Sequence, residues 1–151
     1  MSKYKKLSHV IYKCDYHIVW VPKYRFRILT GQVKELVEHD IRMLSEWKGA
    51  EVIELNVQPD HIHLVVSIPP KVSVSEYMGT IKGKLAIKLF KSYTGLKKKP
   101  YWGNHFWARG YFASTIGIDE DKIRRYVKCQ EEEEKKAEGH AQDFGGLFQS
   151  Q

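Results

Sequence analysis

Apolar and polar residues alternate through residues 60–68, and this alternation predicts a β-strand. The apolar side chains fall at every second position: Ile62, Leu64, Val66 and Ile68. Because side chains two positions apart share one face of a strand, these residues form one apolar face. His61 and His63 lie on the opposite face.

Three further segments, 14–21, 52–57 and 111–115, have the composition of strands. The first is apolar on both faces, which is typical of a central strand. The sequence Gln58-Pro59-Asp60 predicts a turn, so the strand at 52–57 is expected to pair with the histidine strand as a hairpin.

A helical period predicts two helices that pack on the sheet. The first covers residues 32–47 and stops at Gly49, with a buried stripe of Val33, Leu36, Val37, Ile41, Leu44 and Trp47. His39 and Asp40 are expected on its surface. The second begins at a capping box, Ser73-Val74-Ser75-Glu76, and reaches about Tyr93.

A third helix is predicted from Asp121 to about Ala137, and its inner stripe is Ile123, Tyr126, Val127 and Gln130. Tyr126 and Gln130 are polar-tipped and one turn apart. Two interpretations stay open. Tyr126 is partly buried with its hydroxyl in solvent and Gln130 lies at the edge of the buried stripe, or the two polar groups act together in a functional site.

The order β-α-β-β-α-β followed by a helix is that of the ferredoxin-like fold, in the α+β class. We expect an antiparallel sheet with two helices on one face and an additional C-terminal helix carrying the tyrosine. Residues 1–138 are expected to form a single domain, and the polar, glycine-rich residues 139–151 a flexible tail. His61 and His63 then lie on the sheet face that the two helices leave uncovered.

The chain has 25 Lys and Arg against 18 Asp and Glu, a net charge of +7 that favours polyanionic partners. Candidate contacts to a nucleic-acid backbone are basic residues in two segments: Lys23, Arg25, Arg27, Lys82, Lys84, Lys88 and Lys91. The alternative is an ordinary solvated surface. Two cysteines without a Cys-X-X-Cys motif argue against structural zinc, and without a signal sequence or an apolar span we expect a cytoplasmic protein. The sequence contains no Walker-type glycine-rich loop, so we expect no nucleotide cofactor.

His61 and His63 are two residues apart on one strand face, about 6 to 7 Å between Cα atoms, so both imidazoles can bind one metal ion. A chance pair of surface histidines is the alternative. The segment Pro59-Asp60-His61-Ile62-His63-Leu64-Val65-Val66, together with Tyr126-X-X-X-Gln130, resembles the single-tyrosine HUH transposases (TnpA type) of insertion sequences that move as single-stranded DNA. The likeness runs from about Tyr16 to Gln130.

This resemblance implies a DNA transposase in which His61, His63 and Gln130 bind Mg²⁺ or Mn²⁺ and Tyr126 attacks a DNA phosphate. It also implies a 5′-phosphotyrosine intermediate, recognition of DNA hairpins at the element ends, and a homodimer with active sites shared between subunits. Arg124 and Arg125 are further candidate phosphate contacts.

Two alternatives stay open at this point. One is a non-catalytic ferredoxin-like module that binds single-stranded nucleic acid, although that function leaves Tyr126 and Gln130 unexplained. The other is a host-adapted relative that processes repeated DNA hairpins with the same chemistry.

Overall fold

A computed structural model of the chain describes residues 4–98 and 105–116. The elements in chain order are β1 Lys5–Leu7, β2 Val10–Tyr12, β3 Asp15–Trp20, α1 Gly31–Trp47, β4 Glu51–Gln58, β5 His61–Ser67, α2 Val74–Ser92 and β6 Phe112–Thr115. Short 3₁₀ turns lie at Lys23–Arg25 and Thr94–Lys98.

The chain divides into two compact units. In one of them, the segment Lys3–Lys13 contains the antiparallel hairpin of β1 and β2, in which Lys5 pairs with Tyr12. The sequence pattern did not predict this hairpin, because strands of three residues are too short to show a period of two.

The other unit, Cys14–Thr115, contains an antiparallel sheet with the strand order β4-β5-β3-β6. This is the ferredoxin-like order, and it confirms the predicted α+β class. The strand β3 is internal, between β5 and β6, as its apolar faces predicted. The two-residue turn Pro59-Asp60 joins β4 to β5, so that Gln58 of β4 pairs with His61 of β5.

One face of this sheet packs against both helices. Ile62 and Leu64 of β5 are fully buried there, in one cluster with Ile18 of β3, Ile41 of α1 and Ile81 of α2. Burial of each such side chain contributes about 1.5 to 3 kcal/mol. The apolar face of the histidine strand is therefore the core face, as predicted.

The predicted ends of the two helices are confirmed. Gly49 follows α1 with φ +73°, a left-handed conformation that glycine adopts without strain, and the Ala50 amide donates to the Ser45 carbonyl at 2.9 Å. At the start of α2, the Ser73 hydroxyl accepts from the Glu76 amide at 3.0 Å.

Two positions of α1 were predicted wrongly. Trp47, assigned to the buried stripe, is 67% exposed because it falls at the edge of the buried face on the last residue of the helix. Asp40, assigned to the surface, is buried. Its carboxylate accepts from Lys88 of α2 at 3.3 Å and from Nδ1 of His39 at 3.0 Å, and these partners compensate the cost of burying a charge.

Candidate active site

His61 and His63 lie together on the face of β5 that is turned away from the two helices. Both are partly exposed, whereas the intervening Ile62 is fully buried. The sheet register places Asn56 of β4 and Val19 of β3 on either side of His63. The structure therefore brings the two predicted imidazole ligands to one accessible surface.

The ring of His61 is fixed by the preceding residue. Nδ1 of His61 donates to Oδ1 of Asp60 at 2.9 Å, and Oδ2 of Asp60 accepts from the Arg25 guanidinium at 2.9 Å. The hydrogen bond from His61, and secondarily the contacts with Arg25, lower the pKa of Asp60 below its ordinary value. Asp60 is therefore ionised at neutral pH, and Nε2 of His61 is the nitrogen left to bind a ligand.

His63 has a neighbour that the sequence did not predict. Its Nε2 contacts Nε2 of His17 on β3, and the two rings are tilted with centroids 4.1 Å apart. The only signal in the sequence was that His17 shares a strand face with Val19. That signal becomes informative once β3 is known to pair with β5.

The described residues supply the two imidazoles but no complete ligand set. Within 4–98 and 105–116, no group of three His, Cys, Asp or Glu side chains is close enough to hold an ion. Two imidazoles, one of them held in place by a carboxylate, are suitable ligands for a divalent cation. The predicted residues of the third helix lie outside the described residues: Tyr126, Gln130, Arg124 and Arg125.

Among the predicted DNA contacts, those of the turn after β3 lie beside the histidine strand. Arg25 pairs with Asp60, the Lys23 ammonium lies 5.5 Å from the Tyr24 ring centroid, and Arg27 is exposed. The Leu29 amide donates to the Pro59 carbonyl at 3.0 Å, which ties this segment to the hairpin turn before His61.

The lysines of α2 are arranged differently. The Lys82 ammonium donates to the carbonyls of Ala108 and Gly110 at 3.1 and 2.8 Å, and burial lowers the pKa of Lys82. Lys82 therefore fixes the segment that leads into β6. The other three are exposed on the helical side of the sheet, opposite the histidines: Lys84, Lys88 and Lys91.

The fold and this site define an α+β protein with a ferredoxin-like sheet and paired histidines on its open face. Comparison with known proteins identifies the family: residues 10–130 match the family described as "Transposase IS200 like", and the chain belongs to it. It is therefore a transposase, an enzyme class that cleaves and rejoins DNA.

Individual relatives agree with this assignment. The chain is 42% identical over 138 residues to the transposase for insertion sequence element IS200 of Salmonella typhimurium, covering 91% of this chain and 90% of the relative. It is 32% identical over 131 residues to the ISDra2 transposase TnpA of Deinococcus radiodurans, covering 86% and 93%.

Two solved structures share the fold. A crystal structure from Deinococcus radiodurans R1, provisionally assigned as a transposase, aligns with a TM-score of 0.69 and 29% identity over 83% of this chain and 97% of that one. A REP-associated tyrosine transposase bound to a REP hairpin aligns with a TM-score of 0.52 and 18% identity, over 83% of this chain and 68% of that one. Within the described residues, no helix is both long and apolar enough to cross a membrane.

Proposed function

We propose that this transposase cleaves and rejoins single-stranded DNA through a covalent 5′-phosphotyrosine, in one catalytic domain of residues 1–138. The observation that carries the proposal is the pair of imidazoles of His61 and His63 on one accessible sheet face. His61, His63 and Gln130 would hold Mg²⁺ or Mn²⁺, which when bound polarises a scissile phosphate and stabilises charge on the leaving oxygen.

Tyr126 is the proposed nucleophile. Its phenolic oxygen attacks the phosphorus, the bond from phosphorus to the 3′-oxygen breaks, and the proton lost by the phenol ends on solvent or the leaving oxygen. The products are a 5′-phosphotyrosine and a free 3′-OH. A second 3′-OH reverses the step and rejoins strands without ATP, because the phosphotyrosine link retains the phosphodiester energy.

The proposed substrate is a single strand with hairpins at the element ends. The net charge of +7 favours a polyanion, and the turn with Lys23, Arg25 and Arg27 lies beside the histidine strand. A structural neighbour is bound to a REP hairpin, which supports the same class of substrate for this chain. We further propose a homodimer whose subunits share active sites.

The test is covalent capture. The protein is incubated with Mg²⁺ or Mn²⁺ and a labelled single strand carrying the end hairpin of its own element. We expect an SDS-resistant protein–DNA adduct in the wild type and none in Tyr126→Phe. An adduct of undiminished yield in Tyr126→Phe would exclude Tyr126 as the nucleophile.

A further inference from the structure

We propose that Asp60 and Arg25 are positioning residues of the cation site: Asp60 fixes the tautomer and orientation of His61, and Arg25 holds Asp60. The inference rests on the proposed function for the role of His61 as a metal ligand. It gives Arg25 a role beyond the DNA contact that the sequence predicted.

The two oxygens of the Asp60 carboxylate have separate partners. Oδ1 accepts from Nδ1 of His61 and Oδ2 accepts from the Arg25 guanidinium, both at 2.9 Å. An ionised carboxylate can only accept hydrogen bonds, so Nδ1 of His61 must carry the ring proton. The lone pair of His61 is then on Nε2, which is the nitrogen available to a cation.

Arg25 is placed by a strained and anchored turn. Tyr24 and Arg25 have φ values of +58° and +53°, in the left-handed region that costs such residues about 1 kcal/mol or more. Both ends of the segment are tied down, since the Lys23 amide donates to the Phe106 carbonyl at 2.9 Å and the Leu29 amide donates to the Pro59 carbonyl at 3.0 Å. The strained backbone directs the guanidinium onto Asp60.

Asp60 and Arg25 differ in exposure, and this difference matters because Arg25 has two proposed roles, a DNA contact and a partner of Asp60. The Asp60 side chain is 18% exposed, whereas that of Arg25 is 68% exposed. An exposed guanidinium is accessible to a phosphate as well as to Asp60, so DNA affinity alone cannot report the positioning role. The tests therefore use protein without DNA.

The first experiment measures the His61 tautomer by long-range ¹H–¹⁵N NMR in metal-free protein. We expect the Nδ1–H form in the wild type. In Asp60→Asn the single amide oxygen serves as the acceptor for Arg25, so the NH₂ group faces Nδ1 of His61 and the ring should shift towards the Nε2–H form. Asp60→Ala should shift the ring towards the Nε2–H form. An unchanged tautomer in Asp60→Ala would overturn the inference.

The second experiment measures Mn²⁺ affinity by electron paramagnetic resonance without DNA. Loss of such a partner weakens metal binding about 10- to 100-fold, so we expect that loss in both Asp60→Ala and Asp60→Asn. Arg25→Ala should also weaken binding, whereas Lys23→Ala, in the same turn but without a contact to Asp60, is the matched control and should not. Equal affinities of the wild type, Asp60→Ala and Arg25→Ala would overturn the inference.

Tyr126→Phe separates this inference from the proposed function. It should leave the tautomer and the Mn²⁺ affinity unchanged while abolishing the covalent adduct. Tautomer and affinity effects at Asp60 with a persistent adduct in Tyr126→Phe would support the inference and refute the nucleophile. If the Asp60 variants change neither the tautomer nor the Mn²⁺ affinity while Tyr126→Phe loses the adduct, the nucleophile is supported and the inference is overturned.

Discussion

Nε2 of His17 on β3 contacts Nε2 of His63 on β5. The sheet pairs His17 with Val65 and Val19 with His63, so the two imidazoles are diagonal neighbours on the open face. One nitrogen of His63 is thus engaged by a neighbouring ring, as one nitrogen of His61 is engaged by Asp60.

This contact predicts a role for His17 in orienting His63. We expect His17→Ala to lower Mn²⁺ affinity by about tenfold, because the ring of His63 loses a partner that restricts its rotation. His17→Gln keeps a donor and an acceptor and should lose less. Calorimetric titration with Mn²⁺ measures both, and an affinity in His17→Ala at or above that of the wild type would contradict the role.

Binding and cleavage should separate at His63. His63→Ala removes a proposed metal ligand but leaves the basic turn intact, so it should still shift the hairpin on a native gel while strand cleavage is lost. The control is His39→Ala, an exposed histidine on α1, which should retain both activities. Lost hairpin binding with intact cleavage in His63→Ala would contradict the assignment.

Lys82 should behave as a structural residue. Lys82→Met leaves the carbonyls of Ala108 and Gly110 without their donor, and we expect the free energy of unfolding to fall by about 1 to 3 kcal/mol. The matched control is Lys84→Met, an exposed lysine on the same helix, which should change it by about 0.5 kcal/mol or less. Urea denaturation measures both, and equal effects would show that the Lys82 contacts contribute nothing.

Tyr77 predicts an alkaline loss of stability. Its hydroxyl is hydrogen-bonded to that of Ser45 at 2.6 Å between the two helices, and burial raises the pKa of Tyr77 to about 12. A raised pKa means that the unfolded chain releases the proton first, near pH 10, so this contribution is complete below pH 10 and is lost as the pH rises towards 12. The full loss is about 2 to 3 kcal/mol.

Tyr77→Phe tests this linkage because phenylalanine has no proton to release. The variant should be less stable than the wild type at pH 8, since it loses the hydrogen bond to Ser45. The difference in the free energy of unfolding should shrink between pH 9.5 and pH 11. A difference that is constant over that range would contradict the raised pKa.

Local patterns in the sequence predicted much of this fold. The alternation around Ile62 and Leu64 predicted both the strand and its buried face, and the capping box at Ser73 predicted the start of α2, because each signal lies within a few residues. The features that the sequence did not predict depend on contacts between residues that are far apart along the chain. The contact of His17 joins residues 46 apart, the carbonyls that Lys82 binds are 26 and 28 residues away, and Asp40 is buried beside a lysine 48 residues further on.

The same reasoning applies to the candidate site. The shared face of His61 and His63 was predictable from a period of two, whereas the Arg25–Asp60 pair depends on a turn with left-handed backbone that no periodic pattern indicates. Tyr126 and Gln130 stay predictions, since they lie outside the described residues.

The most direct measurement is mass-spectrometric identification of the residue that carries DNA after cleavage. The trapped adduct is treated with nuclease and protease, and the peptide with a residual nucleotide is sequenced. We predict a single 5′-phosphotyrosine at Tyr126, absent when His63 is replaced by alanine. A nucleotide on a different residue, or cleaved strands with no covalent protein product, would contradict the proposed chemistry.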